Sequence, residues 1–389
     1  MGVALLAAGT IGWAASPWTV VAHLDGRGGL GAAAQSYIDQ LGAARSRLAG
    51  LAVQRVRESP DGSARVRRWL VAADGTRTDL QDAGDLASGE SSLRCLRTFA
   101  EWARQRRGYG PVLLLYLGHG VGLTAGEGRD GYAGLAGLRR ALQPAGEGSD
   151  KPYAVLALDT CFGGSLETAY ELRGVARYLT AAPGLVDSPG LDWQGALQDA
   201  DVAGDDGASL VRAVVSRGMV RPTGSHRGLV GVDLQRSSAA AAAMSRLAAA
   251  LRDDIAGSGP AIALVRSRSQ GWGEHDELCD VGQWVSGMAV NGGTEQVRRA
   301  AREAEAAIAE MTVASWTGEG METGNLARLP SALGVFFPSS LEETPASYET
   351  QLQFPAATGW ADFLTDYWGW ARGQLLGAAP RVSAAESGK

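Results

Sequence analysis

Short apolar runs alternate with amphipathic stretches through the first half of the chain. Runs of strand length fall at residues 19–24, 51–56, 66–71, 112–117, 154–158 and 176–180, and helical patterns lie near 31–49, 91–106, 135–142 and 165–172. That rhythm predicts an α/β fold, with a mostly parallel sheet covered by helices on both faces and joined by right-handed crossovers. The stretch 65–72, with the turn Ala73-Asp74-Gly75, departs from the rhythm and predicts an edge strand or hairpin arm.

After about Asp205 the texture changes to alanine-rich helical patterns at 235–255 and 294–311, interrupted at Gly257-Ser258-Gly259-Pro260 and Asn291-Gly292-Gly293. Strand-like segments return at 334–337 and 348–354, followed by a tryptophan-rich helix over 360–370. The chain therefore divides into a core over 17–204, a mainly helical subdomain over 205–332, a segment over 333–377 that packs back on the core, and a frayed tail over 378–389. No internal repeat is evident.

Composition changes this picture little. At 389 residues the chain is long enough for one large α/β domain with an appended lobe. A formal net charge of −6, with no basic cluster interleaved with aromatics, gives no reason to expect nucleic acid as a partner. Of the 36 basic residues only Lys151 and Lys389 are lysines, a bias that reads as GC-rich coding rather than chemistry. Three cysteines, Cys95, Cys161 and Cys279, cannot all pair, so a reducing compartment is compatible. The apolar stretch 3–15 is too short and glycine-rich for a membrane span and lacks the basic opening of a secretory signal. The expected location is cytoplasmic, with no membrane partner. Secretion is the alternative, with Ala14-Ala15-Ser16 as a cleavage region.

Two strand ends carry the candidate chemistry. The run 154–158 leads into Asp159-Thr160-Cys161-Phe162-Gly163-Gly164, and the run 112–117 leads into Gly118-His119-Gly120. A cysteine and a histidine thus leave the C-terminal edge of a predicted parallel sheet, where open α/β sheets bind ligands. A thiol becomes a strong nucleophile at neutral pH when an imidazole takes its proton. The glycines let backbone approach a carbonyl, so the N–H groups of Gly120 and Cys161 are candidate oxyanion donors, and the same glycines also suit tight turns. Asp159, two residues before the cysteine, shares its face of the strand and would select a basic side chain, best of all arginine. Asp187 and Asp192, in the loop after the next strand, are candidates for a second carboxylate.

These residues resemble the clostripain family of caspase-fold cysteine peptidases. The resemblance rests on Asp159-Thr160-Cys161 followed by Ser165-Leu166-Glu167-Thr168-Ala169-Tyr170-Glu171-Leu172, on WTVVAHLDGRGGL from Trp18, on Leu333-Gly334-Val335-Phe336-Phe337-Pro338, and on Trp360-Ala361-Asp362-Phe363-Leu364 with Tyr367. Gly118 departs from the family, which often has an acidic residue before the histidine. The resemblance implies a caspase-like sheet with a helical C-terminal lobe and a cysteine endopeptidase cutting after arginine or lysine. Cys161 and His119 would form its dyad, Gly120 and Cys161 its oxyanion hole, and Asp159 the floor of its S1 pocket; Asp187 is a candidate second S1 carboxylate from its loop position, not from the resemblance. The implied partner is a polypeptide with exposed Arg or Lys, including a dedicated protein encoded nearby. No cofactor is required and no metal ligand is assigned, although calcium occurs in the family and Glu274-His275-Asp276-Glu277 would hold a cation weakly. The rival is a protease-fold binding or scaffold protein without turnover.

Other residues read as structural. Glu167 and Glu171 lie near a helix start, where negative charge favours the dipole. His23 reads as a satisfied core or edge histidine, His226 and His275 as loop residues, Cys95 as core, and Cys279 as part of a strand-to-helix segment. Trp360, Trp368 and Trp370 recur at helical spacing and read as core. Arg129, in the glycine-rich linker between His119 and Cys161, is the expected self-processing site of an arginine-specific enzyme.

Overall fold

The computed structural model describes residues 18–72, 74–105, 110–123, 132–143, 153–200, 207–219, 227–272, 277–318, 329–338 and 346–378. Arg129, His226, His275 and the Glu274 to Asp276 stretch lie outside them. The strands are β1 (Trp18–Asp25), β2 (Leu48–Glu58), β3 (Ala64–Val71), β4 (Arg77–Leu86), β5 (Val112–Leu117), β6 (His119–Gly122), β7 (Tyr132–Gly134), β8 (Tyr153–Asp159), β9 (Ala176–Ala181), β10 (Gly228–Asp233), β11 (Gly271–Trp272), β12 (Leu278–Asp280), β13 (Thr312–Thr317) and β14 (Gly334–Phe336). The helices are α1 (Gly31–Ala43), α2 (Leu93–Arg104), α3 (Leu135–Leu142), α4 (Leu166–Glu171), α5 (Trp193–Asp199), α6 (Ala208–Arg217), α7 (Ser237–Asp253), α8 (Ile255–Arg268), α9 (Val281–Asn291), α10 (Glu295–Met311), α11 (Ala346–Gln351), α12 (Gln353–Thr358) and α13 (Trp360–Ala378).

Nine strands form the central sheet in the order β13-β10-β9-β8-β5-β1-β2-β3-β4. Its middle is parallel: β1 pairs with β2 and β5, β5 with β8, and β8 with β9. Both flanks are antiparallel, through β2–β3–β4 on one side and β9–β10–β13 on the other. The apolar runs of β1, β5 and β8 are buried because helices cover both faces. One apolar layer joins the sheet to α2, α3, α4, α7, α9 and α10, and the opposite layer joins it to α1, α5 and α6.

The segment 205–332 does not stand apart as a helical subdomain. It supplies β10 and β13 to the central sheet. β10 escaped the hydrophobic pattern because it is short and holds two glycines; a Cβ on Gly231 would lie 2.1 Å from Val211 Cγ1, so this glycine lets α6 approach the sheet. Nor does Gly257-Ser258-Gly259-Pro260 end a helix. The break falls at Asp254, and these residues lie within α8, where a Cβ on Gly259 would meet the Trp370 ring at 2.5 Å. Asn291-Gly292-Gly293 does separate two helices, with Thr294 capping α10. The hairpin arm is real, but its partner β4 is nearly all exposed and carries no apolar run to betray it.

Residues 348–354, expected as a strand, are helical in α11 and α12. Two buried carboxylates hold this segment to α4. Glu167 Oε1 accepts from the Phe336 N–H at 2.9 Å and the Tyr348 hydroxyl at 3.0 Å. Glu171 Oε1 accepts from the Gln353 and Phe354 N–H groups, and its other oxygen pairs with Arg139. These glutamates are therefore cross-links between distant segments; Glu167 is a first-turn charge as well, whereas Glu171 is the last residue of α4 and does not sit at the helix start. Burial raises the Glu167 pKa while its hydrogen bonds oppose the shift. Glu171→Ala is expected to lower the unfolding free energy by about 3 kcal/mol or more, because it strands Arg139 and two N–H groups. A denaturant midpoint matching wild type would contradict this.

Trp360 is fully buried and packs edge-on against Trp284 and Phe337, whereas Trp368 and Trp370 are half-buried at the margin of the same aromatic cluster. Among the described residues no helix is long and apolar enough to cross a membrane.

Candidate active site

β5 and β8 are adjacent and parallel, so the chain leaves both at one sheet edge. β6 begins at His119, and Gly120 meets the nucleophile turn: a Cβ on Gly120 would lie 3.1 Å from the Cys161 carbonyl oxygen and 3.5 Å from Cys161 Cβ. The strand that begins at His119 thereby lies against the turn bearing Cys161, by an approach that glycine permits. Gly118 has its own steric reason, since a Cβ there would lie 2.9 Å from the Tyr116 hydroxyl.

His119 is held from β1. Its Nε2 lies 3.1 Å from the Gly28 carbonyl oxygen, and because a carbonyl only accepts, Nε2 carries the proton. Nδ1 is then the basic nitrogen of the neutral ring. The turn bearing Gly28 is braced by its neighbours. Arg27 donates to both carboxylate oxygens of Asp25 and to the Glu90 carbonyl, and Gly28 N–H donates to Glu58 Oε2 at 3.0 Å. Arg27 holds the Asp25 carboxyl below its ordinary range despite burial.

The nucleophile turn differs in detail from expectation. Its left-handed residue is Phe162, with φ 62, while Gly163 and Gly164 do not adopt positive φ. Gly164 serves close approach instead, since a Cβ there would stand 2.7 Å from the Pro183 nitrogen. A bulky residue in left-handed backbone is strained, and here the turn is fixed by Phe162 N–H donating to Gly184 O at 3.0 Å and Gly164 N–H to Ala182 O at 2.8 Å. The Cys161 N–H has no acceptor among the described residues. The thiol is partly exposed and accepts from the Val186 N–H at 3.4 Å. Burial raises its pKa, with the Val186 N–H opposing the shift.

Asp159 lies at the end of β8 and is buried. Its Oδ2 accepts from the Tyr37 hydroxyl and, at 3.4 Å, from the Leu191 N–H. Oδ1 makes no hydrogen bond among the described residues. Burial pushes its pKa up to about 7, against the pull of the Leu191 N–H and the Trp193 indole. Asp187 is engaged by Arg227 in a two-point ion pair, and Asp192 caps α5. His23 is buried, stacked on Tyr116 and bonded through Nδ1 to Gln54, while Nε2 is without a partner; burial drives its pKa down to about 4 and keeps it neutral. Cys95 and Cys279 are buried, and Asp280 caps α9 as the strand-to-helix reading expected. Among the described residues no group of three or more His, Cys, Asp or Glu side chains is placed to hold a metal ion.

Three participants were not singled out from sequence: the Gly28 carbonyl, Tyr37 and Arg227. The turn Asp25-Gly26-Arg27-Gly28-Gly29 lay within the stretch from Trp18 that carries the family resemblance. Nothing in sequence spacing ties Tyr37 on α1 to Asp159, or Arg227 to Asp187.

A sequence model of the clostripain family matches residues 128–262, a stretch that includes the nucleophile turn. That stretch, 135 of the chain's 389 residues, is similar to the clostripain family. The fold is similar to that of an inactive zymogen C11 protease from Parabacteroides distasonis, at TM-score 0.62 and 14% identity over 88% of this chain and 98% of the other. It is likewise similar to iotapain, a secreted C11 cysteine protease from Bacteroides thetaiotaomicron, at TM-score 0.63 and 13% identity over 88% and 99%. A secreted C11 cysteine protease of that organism in complex with an irreversible peptide inhibitor gives TM-score 0.62 and 14% identity over 89% and 100%. No curated protein matches the chain by sequence. The family match begins after His119, so the histidine's place rests on the geometry of β5, β6 and the Gly28 turn.

Proposed function

We propose that the chain is a cysteine endopeptidase cutting after arginine, and less readily lysine, through Cys161 and His119. The observation that carries this reading is the convergence at one sheet edge of Cys161, whose N–H has no acceptor among the described residues, and the His119 strand, whose ring is held by the Gly28 carbonyl. Because burial raises the thiol pKa, little thiolate stands ready in the free protein. The thiol proton passes to His119 Nδ1 as sulfur attacks the scissile carbonyl carbon. The oxyanion so formed is met by the N–H groups of Cys161 and Gly120. His119 then returns the proton to the departing amine, leaving a thioester that water hydrolyses with His119 as base.

Asp159 is the proposed S1 carboxylate, and its burial sets a pH dependence. Its pKa of about 7 lies above the unfolded value of 3.8, so in the free pocket the group is increasingly neutral below pH 7. Preference for P1 arginine over the uncharged isostere citrulline is therefore expected to rise several-fold between pH 6 and 8. In Asp159→Asn the preference should be low and flat with pH. The same raised pKa opposes folding once the acid ionises, a loss of stability that develops as pH rises from about 4 to 7 and then levels off. Matched peptidyl substrates compared by kcat/KM test the reading. Cleavage after Asp or Leu in preference to Arg would overturn it, and absence of any turnover despite a reactive Cys161 would favour the scaffold alternative.

A further inference from the structure

A guanidinium from within the chain already holds Asp187. Arg227, immediately before β10, donates through Nε to Asp187 Oδ2 at 2.8 Å and through Nη2 to Oδ1 at 2.7 Å, the two-point geometry a substrate arginine would use. The two side chains are only 12% and 14% exposed. Val186, whose N–H donates to Cys161 Sγ, directly precedes Asp187, so the pair belongs to the wall of the site. Arg227 and Asp187 are near enough to the thiol to act on its ionisation in opposite senses.

We propose that Arg227 is a specificity-determining residue that fills, at Asp187, the place a P1 guanidinium would otherwise take, and so weakens selection for arginine over an uncharged side chain of the same shape. The proposal rests on the peptidase reading above and refines its substrate class. With Asp187 neutralised from within the chain, a P1 cation is left with Asp159, which already accepts from Tyr37 and Leu191. To reach Asp187 a substrate must displace Arg227 from a largely desolvated pair, which leaves a guanidinium seeking another partner. Removing Arg227 reverses the situation: the Asp187 carboxylate loses its guanidinium, and an incoming arginine restores it.

The test compares Cys161 alkylation rates with two matched peptidyl acyloxymethyl ketones, carrying arginine or citrulline at P1, and with iodoacetamide as a non-peptidyl reference. Relative to wild type, Arg227→Gln is expected to raise the arginine-to-citrulline ratio about ten-fold or more, and adding Asp187→Asn should cancel the gain. Arg227→Lys keeps the charge but loses the fork, and should fall between wild type and Arg227→Gln; it serves also if the glutamine variant folds poorly. An unchanged or lower ratio in both single variants, with both peptidyl reagents still labelling, overturns the specificity role alone. If neither peptidyl reagent labels wild type while iodoacetamide alkylates Cys161, the peptidase reading fails and this proposal falls with it.

Discussion

Cys161→Ala is expected to remove arginyl-peptide cleavage by at least about a thousand-fold, and His119→Ala by a comparable factor, with neither change lowering the melting temperature by more than a few degrees. The thiol is partly exposed and accepts one weak hydrogen bond, from the Val186 N–H; the imidazole belongs to the first residue of β6 and contacts the Gly28 carbonyl. Both variants therefore separate chemistry from folding. Because the two residues act on one proton, the double variant should lose no more than either single one. Turnover of either variant within ten-fold of wild type, measured as kcat/KM on a fluorogenic substrate, would remove the mechanism.

Gly28→Ala should cost about a hundred-fold in kcat with little change in KM. Gly28 has φ +59, and a Cβ there would lie 2.3 Å from His119 Nε2, so the new methyl must push aside the ring that the Gly28 carbonyl holds. Displacing a proton-transfer group by about 1 Å is enough for a loss of that order. Gly29→Ala is the control, because Gly29 also has positive φ, at +89, yet nothing lies within 4 Å of its Cβ position. Equal losses in the two variants would assign the effect to backbone strain in the turn rather than to the imidazole.

The central parallel strands were legible in sequence because burial on both faces leaves uninterrupted apolar runs, as in β5 and β8. The flanks were not. β4 is polar and exposed, and β10 carries glycines that α6 packing requires, so neither shows the pattern of its state. Residues 348–354 misled for the opposite reason: Tyr348, Leu352 and Phe354 are apolar at strand-like spacing, but they are buried by helices docked on α4. At the candidate site, the placement of His119 and Cys161 just past neighbouring strand ends was legible from apolar runs and glycines, which are local signals. Their supports were not, because the Gly28 carbonyl has no side-chain signature and Arg227 is 40 positions from Asp187.

The tie between α4 and the C-terminal segment bears on the order in which the candidate site is assembled during synthesis. Glu167, six residues after the nucleophile, finds the Phe336 N–H 169 positions later, and the Gly164 carbonyl waits for the Gly334 N–H. Contacts so distant along the chain form late, after most of the polypeptide has left the ribosome. A nascent chain holding both His119 and Cys161 but not yet β14 therefore lacks the contacts that brace the turn after β8. The candidate site is the product of segments that meet only after β14 has been made.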